Sequence, residues 1–155
     1  MASTDMFLKV QGVTGESADA QHKGEIEVVS WSWGMQSPGS ARGDVAGGHA
    51  SMTELEIVKH VDQSSPVLMQ FLWQNNGIKQ VRLAVRKSGG TSLEYLAIEL
   101  KNARITSFRT ESQNAEIIER VRFGFSSVLV TYIPQQSTGS RGAAVQFMAD
   151  AHESV

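Results

Sequence analysis

The side chains able to do chemistry are scattered along the chain. Four histidines, His22, His49, His60 and His152, occur in 155 residues. No two stand four apart and no HExxH segment occurs, so no helix face presents a pair of zinc ligands. They read as surface histidines. Glu25 with Glu27, and Glu54 with Glu56, are spaced i, i+2, which puts both carboxylates of a pair on one strand face. Glycoside hydrolysis needs two carboxyls facing each other across a cleft at a set separation. These pairs read instead as solvated sheet faces. No GxSxG, phosphate-loop or GxGxxG segment is present. Gly47-Gly48-His49 lacks both the lysine and the strand-to-helix setting that phosphate binding requires. Arg42-Gly43-Asp44 is a tripeptide read by some cell-surface receptors, but a tripeptide is short enough to arise by chance. The chain has no cysteine, which excludes disulfides, thiolate metal sites and cysteine nucleophiles. No catalytic, cofactor-binding or metal-binding set can be nominated, and the chain reads as a protein that is not an enzyme.

Bulk properties narrow the class. The length suits one domain with one core. A hydrophobic content of 41% is enough for a globular fold. The net charge is -2, with acids and bases mixed; no basic stripe marks a nucleic-acid partner. No apolar run reaches the roughly 18 residues of a membrane span, so no membrane insertion is expected. The start, MASTDMFLKV, lacks a basic segment followed by a long apolar run. It is therefore not read as a secretory signal peptide. Export, if it occurs, is expected to need no cleaved signal. The end at Val155 leaves no room for a fused C-terminal domain.

The scaffold reads as mostly strand. Met6, Leu8 and Val10 alternate with Phe7, Lys9 and Gln11, the period of a half-buried strand. Further strands are expected over residues 25–34, over 53–61 with Leu55, Ile57 and Val61 on one face, and through Val81, Leu83 and Val85 with Arg82 and Arg86 outward. Gly89-Gly90 supplies a turn. A long strand over 93–109 changes phase from Leu96, Ile98 and Leu100 to Ala103 and Ile105, which predicts a bulge or sharp bend near Asn102. The next, over 117–133, changes phase between Val121, Phe123, Phe125 and Val128, Val130, Tyr132. Such shifts turn the corners of a closed barrel. Pro134 ends that run, and a last short strand is expected over 143–148. One segment is helical: Ser65 as cap, Pro66 at the first position, Leu68, Phe71 and Leu72 on the buried face, and Gly77 as the left-handed stop. Trp73, beside Leu72, is read as packing. Residues 12–24 form a polar loop. Residues 34–51 form a Gly- and Ser-rich loop longer than an ordinary connection, which marks it as functional or disordered.

The segment Ser30-Trp31-Ser32-Trp33 places two tryptophans on one strand face and two serines on the other. Trp31 and Trp33 are expected to anchor the core or a subunit contact. Ser30 and Ser32 are expected to face water or a solvent-filled space. An amphipathic strand of a monomeric barrel accounts for this alternation equally well.

Four stretches together resemble the haemolysin-coregulated protein (Hcp) family of type VI secretion systems. They are Asp5-Met6-Phe7-Leu8-Lys9 with Gly12 and Gly15-Glu16-Ser17; residues 26–35 (IEVVSWSWGM); residues 59–69 (KHVDQSSPVLM); and Val85-Arg86-Lys87 with Gly89-Gly90 and Glu94-Tyr95-Leu96. The likeness covers almost the whole chain. It implies a mainly β fold, a barrel of two sheets flanked by one α-helix and similar to phage tail-tube proteins. It implies six copies in a ring with a central channel, and rings stacked into a tube that a contractile sheath propels outward. Partners would be other rings, the sheath, spike and baseplate, and effectors carried inside. The resemblance implies a protein that is cytoplasmic before assembly and then secreted. On this reading Ser30 and Ser32 line the lumen. The long loop, with Met35, Pro38, Arg42, Asp44 and His49, mediates stacking. The helix sequence Gln70-Phe71-Leu72-Trp73 is bulkier than in many members and departs from the family pattern. A ring-forming effector adaptor and a monomeric ligand-binding β-barrel are the competing readings.

Overall fold

The computed structural model describes residues 5–38, 50–87, 93–135 and 141–151. In chain order its strands are β1 (Met6–Val10), β2 (Ile26–Glu27), β3 (Ser30–Ser32), β4 (Met35–Gln36), β5 (Ser51–Met52), β6 (Leu55–His60), β7 (Ile78–Arg86), β8 (Glu94–Gln113), β9 (Glu116–Gly124), β10 (Ser127–Tyr132) and β11 (Val145–Asp150). Helix α1 (Ser64–Trp73) lies between β6 and β7.

β8 is the spine. Its first half pairs with β7 on one edge and β10 on the other, and its second half pairs with β9. Between the halves Asn102 adopts a left-handed conformation, φ 52°, at the place where the apolar phase changes. Asparagine tolerates that conformation better than most residues with a Cβ. A second irregularity, between Ile105 and Ser107, skips one residue against β9. The partner ribbon breaks opposite this bend. Residues 117–133 are therefore two strands, β9 and β10, rather than one. The first sheet runs β2-β1-β7-β8-β10-β11 and the second runs β8-β9-β6-β3.

The far ends of the two sheets are joined by one piece of chain. Residues 25–34 read as a single strand, but they divide at Val28 and Val29. The Val28 amide donates to Met6 in the first sheet, and the Val29 amide donates to Val58 in the second. Strands that change sheets at such a corner are how two sheets wrap one core. Leu8, Val10, Ile26, Leu55, Ile57, Val81, Leu83, Ile98, Leu100, Val121 and Phe123 fill it. Each contributes roughly 1.5–3 kcal/mol by leaving water.

The helix starts and stops on residues other than those expected. Gln63 is the N-cap position and Ser64 opens the helix, so Pro66 stands third rather than first. That position still needs no amide donor. The Asp62 carboxylate accepts the Ser64 amide, and Glu16 Oε2 accepts the Gln63 amide at 2.7 Å. The stop is Asn75, φ 54°, not Gly77. The Asn75 amide donates to Leu72 and the Asn76 amide to Phe71, the pair of bonds that closes a helix C-terminus. Leu68 is buried, while Phe71 and Leu72 pack at the core margin. Trp73, read as packing, is 85% exposed.

Other expectations shift for local reasons. Val61 lies beyond β6 and is exposed; the inward position before it belongs to Lys59. β8 continues to Gln113, and β11 runs over 145–150 rather than 143–148. The long loop is paired at its base, with Met35 opposite Met52 and Gln36 opposite Ser51. The expected Gly89-Gly90 turn falls outside the described residues.

Candidate functional site

The polar face of the second sheet is built by cross-strand register. Ser32 stands opposite Glu56, Glu56 opposite Arg122, and Arg122 opposite Ser107. The next row is Ser30, Val58, Arg120 and Arg109. Directly opposed residues of antiparallel strands share a face, so Ser30 and Ser32 lie on the same surface as this charged ladder. Both serines are exposed, while Trp31 and Trp33 are half-buried and pack against the core. Trp33 Nε1 is buried and has no acceptor among the described residues.

The hairpin base lies beside Trp33. The Gly34 amide donates to Thr53 Oγ1 at 3.0 Å, and the Thr53 amide donates to the Gly34 carbonyl at 2.9 Å. Met35 and Pro38 are exposed. Arg42, Asp44 and His49 lie outside the described residues. The other apolar surface is β11, an edge strand bonded on one side only. Val145 and Met148 are 62% and 73% exposed, and Phe147 and the neighbouring Tyr132 are exposed as well. On α1, Met69 and Trp73 stand one turn apart, both exposed.

Helix and barrel are held together by a buried ionic cluster. Lys59 Nζ lies 2.7 Å from Glu119 Oε1 and 3.0 Å from both Asp62 Oδ1 and Ser65 Oγ. Ser65 donates to Glu119 at 2.7 Å. Lys59 and Glu119 are 0% and 1% exposed. Ser65, expected as a helix cap, therefore ties the first helical turn to β6 and β9.

A cavity of about 1490 Å³ opens beside the Val28–Val29 corner. Charges of both signs line it, among them Asp5, Glu27, Arg86, Lys87 and Glu116, and no serine or threonine among the described residues does. Among the described residues no three His, Asp or Glu side chains converge as a metal site requires. No helix among them is long and apolar enough to cross a membrane.

Comparison with known proteins agrees with this geometry. The family model "Type VI secretion system effector, Hcp" matches residues 7–132. Protein hcp1 of Pseudomonas aeruginosa is 35% identical over 151 residues, covering 94% of this chain and 93% of that protein. The chain belongs to the Hcp family. The crystal structure of a type VI secretion system effector from Yersinia pestis superposes with a TM-score of 0.78 at 30% identity, covering 94% of this chain and 99% of that one. That of Hcp1 from Salmonella typhimurium gives 0.78 at 28% identity, covering 97% and 96%. The mainly β, two-sheet and one-helix architecture is therefore that of Hcp proteins.

In this Hcp chain the loop over residues 12–24 is not merely polar. It lays His22 on Phe7, with ring centroids 4.3 Å apart and planes 5° apart. His22, read as a surface histidine, is buried. Its Nδ1 lies 2.9 Å from Glu25 Oε1, and its Nε2 lies 3.2 Å from Glu94 Oε2 without hydrogen-bond alignment. Gly15 makes the fold-back possible, because a Cβ there would fall 2.5 Å from the Glu25 carbonyl oxygen. Arg86 clamps the loop. It donates two bonds to Asp19, at 2.6 and 2.9 Å, and one to Asp5, while its guanidinium sits 4.9 Å from the Phe7 ring centre. The hydrogen bonds from Arg86 hold the Asp19 carboxyl below its ordinary pKa, and Asp19 in turn raises that of Arg86.

A depressed carboxyl stabilises the fold above its unfolded pKa, and that contribution is lost as pH falls through the folded value. Protection of the loop amides against hydrogen exchange, relative to the unfolded chain at the same pH, should accordingly fall as pH drops below about 4. Asp19→Asn should show loose amides already at neutral pH and a weaker dependence on acid. Equal acid sensitivity in the two proteins would rule Asp19 out as the group responsible.

Proposed function

We propose that this chain is the structural subunit of a type VI secretion inner tube. Six copies close into a ring, rings stack, and effectors travel in the lumen. The observation that carries the reading is the apolar edge strand β11, exposed along its length in a single copy. An edge of that kind invites pairing with another chain. A contact between β11 and a different surface of the next copy is heterologous, and a heterologous contact closes into a ring when the rotation allows. The exposed Met69–Trp73 stripe on α1 supplies a second apolar surface, which a closed ring also needs to cover.

The polar face of the second sheet is then the lumen wall, with Ser30 and Ser32 facing cargo. Trp31 and Trp33 anchor that wall from behind. Residues 34–51, carrying Met35, Pro38, Arg42, Asp44 and His49, reach the next ring. Sheath, spike and baseplate components are the further partners. The chain waits in the cytoplasm and leaves through the assembled machine, and its role is structural rather than catalytic. Native mass spectrometry with negative-stain imaging is expected to give a species of six 16.9 kDa chains, seen as open rings. A monomer at micromolar concentration would defeat the reading. In intact rings, Ser32→Gln should weaken retention of at least one cargo by about tenfold, the effect of 1.4 kcal/mol. Unchanged retention of every cargo would remove Ser32 from the lumen.

A further inference from the structure

The face that bears Ser30 and Ser32 carries more cation than the fold uses. We propose that it is a carboxylate-recognition site, in which Arg109, Arg120 and Arg122 take acidic side chains on the surface of a carried protein. The proposal rests on reading this face as the lumen wall.

The three arginines, with Glu56, Glu111 and Ser107, line a recess of about 390 Å³. Three guanidiniums share two carboxylates there. Arg120 Nε lies 3.0 Å from Glu111 Oε1, and Arg122 Nε lies 3.4 Å from Glu56 Oε2. Arg109 Nη2 reaches Glu111 Oε2 only at 3.6 Å, beyond hydrogen-bond length. Arg120 and Arg122 bond through Nε alone, so their terminal Nη groups donate no hydrogen bond to a described residue. The terminal fork is the part of arginine that matches a carboxylate with two parallel hydrogen bonds.

The register makes the surplus costly. Arg109 stands directly opposite Arg120, and like charges opposed across strands destabilise a sheet. Arg109 is also 69% exposed. Among the described residues the only ion pair of Arg109 is the long one to Glu111, which Arg120 already engages at 3.0 Å, and a local rule broken for so small an internal gain marks a functional position. The partner is a protein surface rather than nucleic acid because Glu56 and Glu111 stand among the arginines. A continuous phosphate backbone would meet both carboxylates, whereas separate Asp and Glu side chains can address the forks one at a time.

The test measures fluorescence anisotropy of labelled hexaglutamate on the assembled protein, with hexaglutamine and oligothymidylate as controls. Hexaglutamate should bind and hexaglutamine should not. Arg109→Gln or Arg122→Gln should each raise the hexaglutamate Kd by about tenfold, the loss of a charge-assisted hydrogen bond. Ring mass should stay unchanged. The Arg109→Gln melting temperature should hold or rise, since the substitution removes a like-charge contact. Hexaglutamate affinity indifferent to both substitutions would overturn the proposal, as would tighter binding of oligothymidylate. Arginine-dependent binding of hexaglutamate by a monomer that never forms rings would support the carboxylate site and overturn only the ring reading.

Discussion

Glu119→Ala is expected to remove roughly 3–5 kcal/mol of folding stability, because it takes the closest carboxylate from a buried ammonium. Lys59 has no exposed surface, and its Nζ has Glu119, Asp62 and Ser65 as neighbours. Glu119 is the shortest of these contacts and also accepts the Ser65 hydroxyl. Its loss leaves Lys59 with Asp62 as its one carboxylate partner among the described residues and releases the first turn of α1 at the same time. A domain whose whole stability is about 5–15 kcal/mol then unfolds at a much lower urea concentration. The double substitution Lys59→Met with Glu119→Leu should cost less than Glu119→Ala alone, since no buried ammonium remains and Asp62 keeps its hydrogen bonds from Ser64. The two urea midpoints decide the matter. A Glu119→Ala loss below about 1 kcal/mol would place the pair among ordinary surface bridges.

The second large effect concerns assembly rather than folding. Met148→Asp should convert rings to monomers at micromolar concentration while leaving the melting temperature of the single chain nearly unchanged. Met148 is exposed on β11 and lies outside the core cluster, so the isolated chain has little to lose. In a ring the same aspartate would be desolvated without a partner at every contact, at a cost of several kcal/mol each. Sedimentation velocity distinguishes the outcomes. A Met148→Asp protein that still sediments as a hexamer would mean that the ring contact lies elsewhere.

Alternation made β1, β6 and β7 legible, because one side of each strand carries core residues: Leu8 and Val10, Leu55 and Ile57, Val81 and Leu83. The bend at Asn102 was legible for the same reason: a change of phase is a change of packed side. Features set by distant partners were hidden. The helix start depends on Glu16 and Asp62, and its stop on an asparagine where glycine is commoner. Residues 25–34 change phase at the Val28–Val29 corner, from Ile26 and Val28 inward to Trp31 and Trp33 inward, but alternation carries no record of which neighbour each half pairs with. Lys59 and Glu119 lie far apart in the sequence, and only the pairing of β6 with β9 brings them face to face. His22 looked like a surface residue until Gly15 folded the loop over Phe7. Of the candidate site, the Ser–Trp alternation was readable, whereas the arginine ladder appears only once three strands are in register.

The pairing order also bears on how the chain is made. β1 leaves the ribosome first, yet its long partner is β7, with Met6 against Val85. At about 5–20 residues per second, synthesis takes several seconds to reach that partner. During that time Phe7, Leu8 and Val10 have only β2 to shelter them. Sheets held by such distant contacts also fold slowly, on the scale of milliseconds to seconds. The nascent chain thus offers a sticky amino-terminal strand for most of its time on the ribosome. A holdase that binds short apolar strands during translation would act on this segment first.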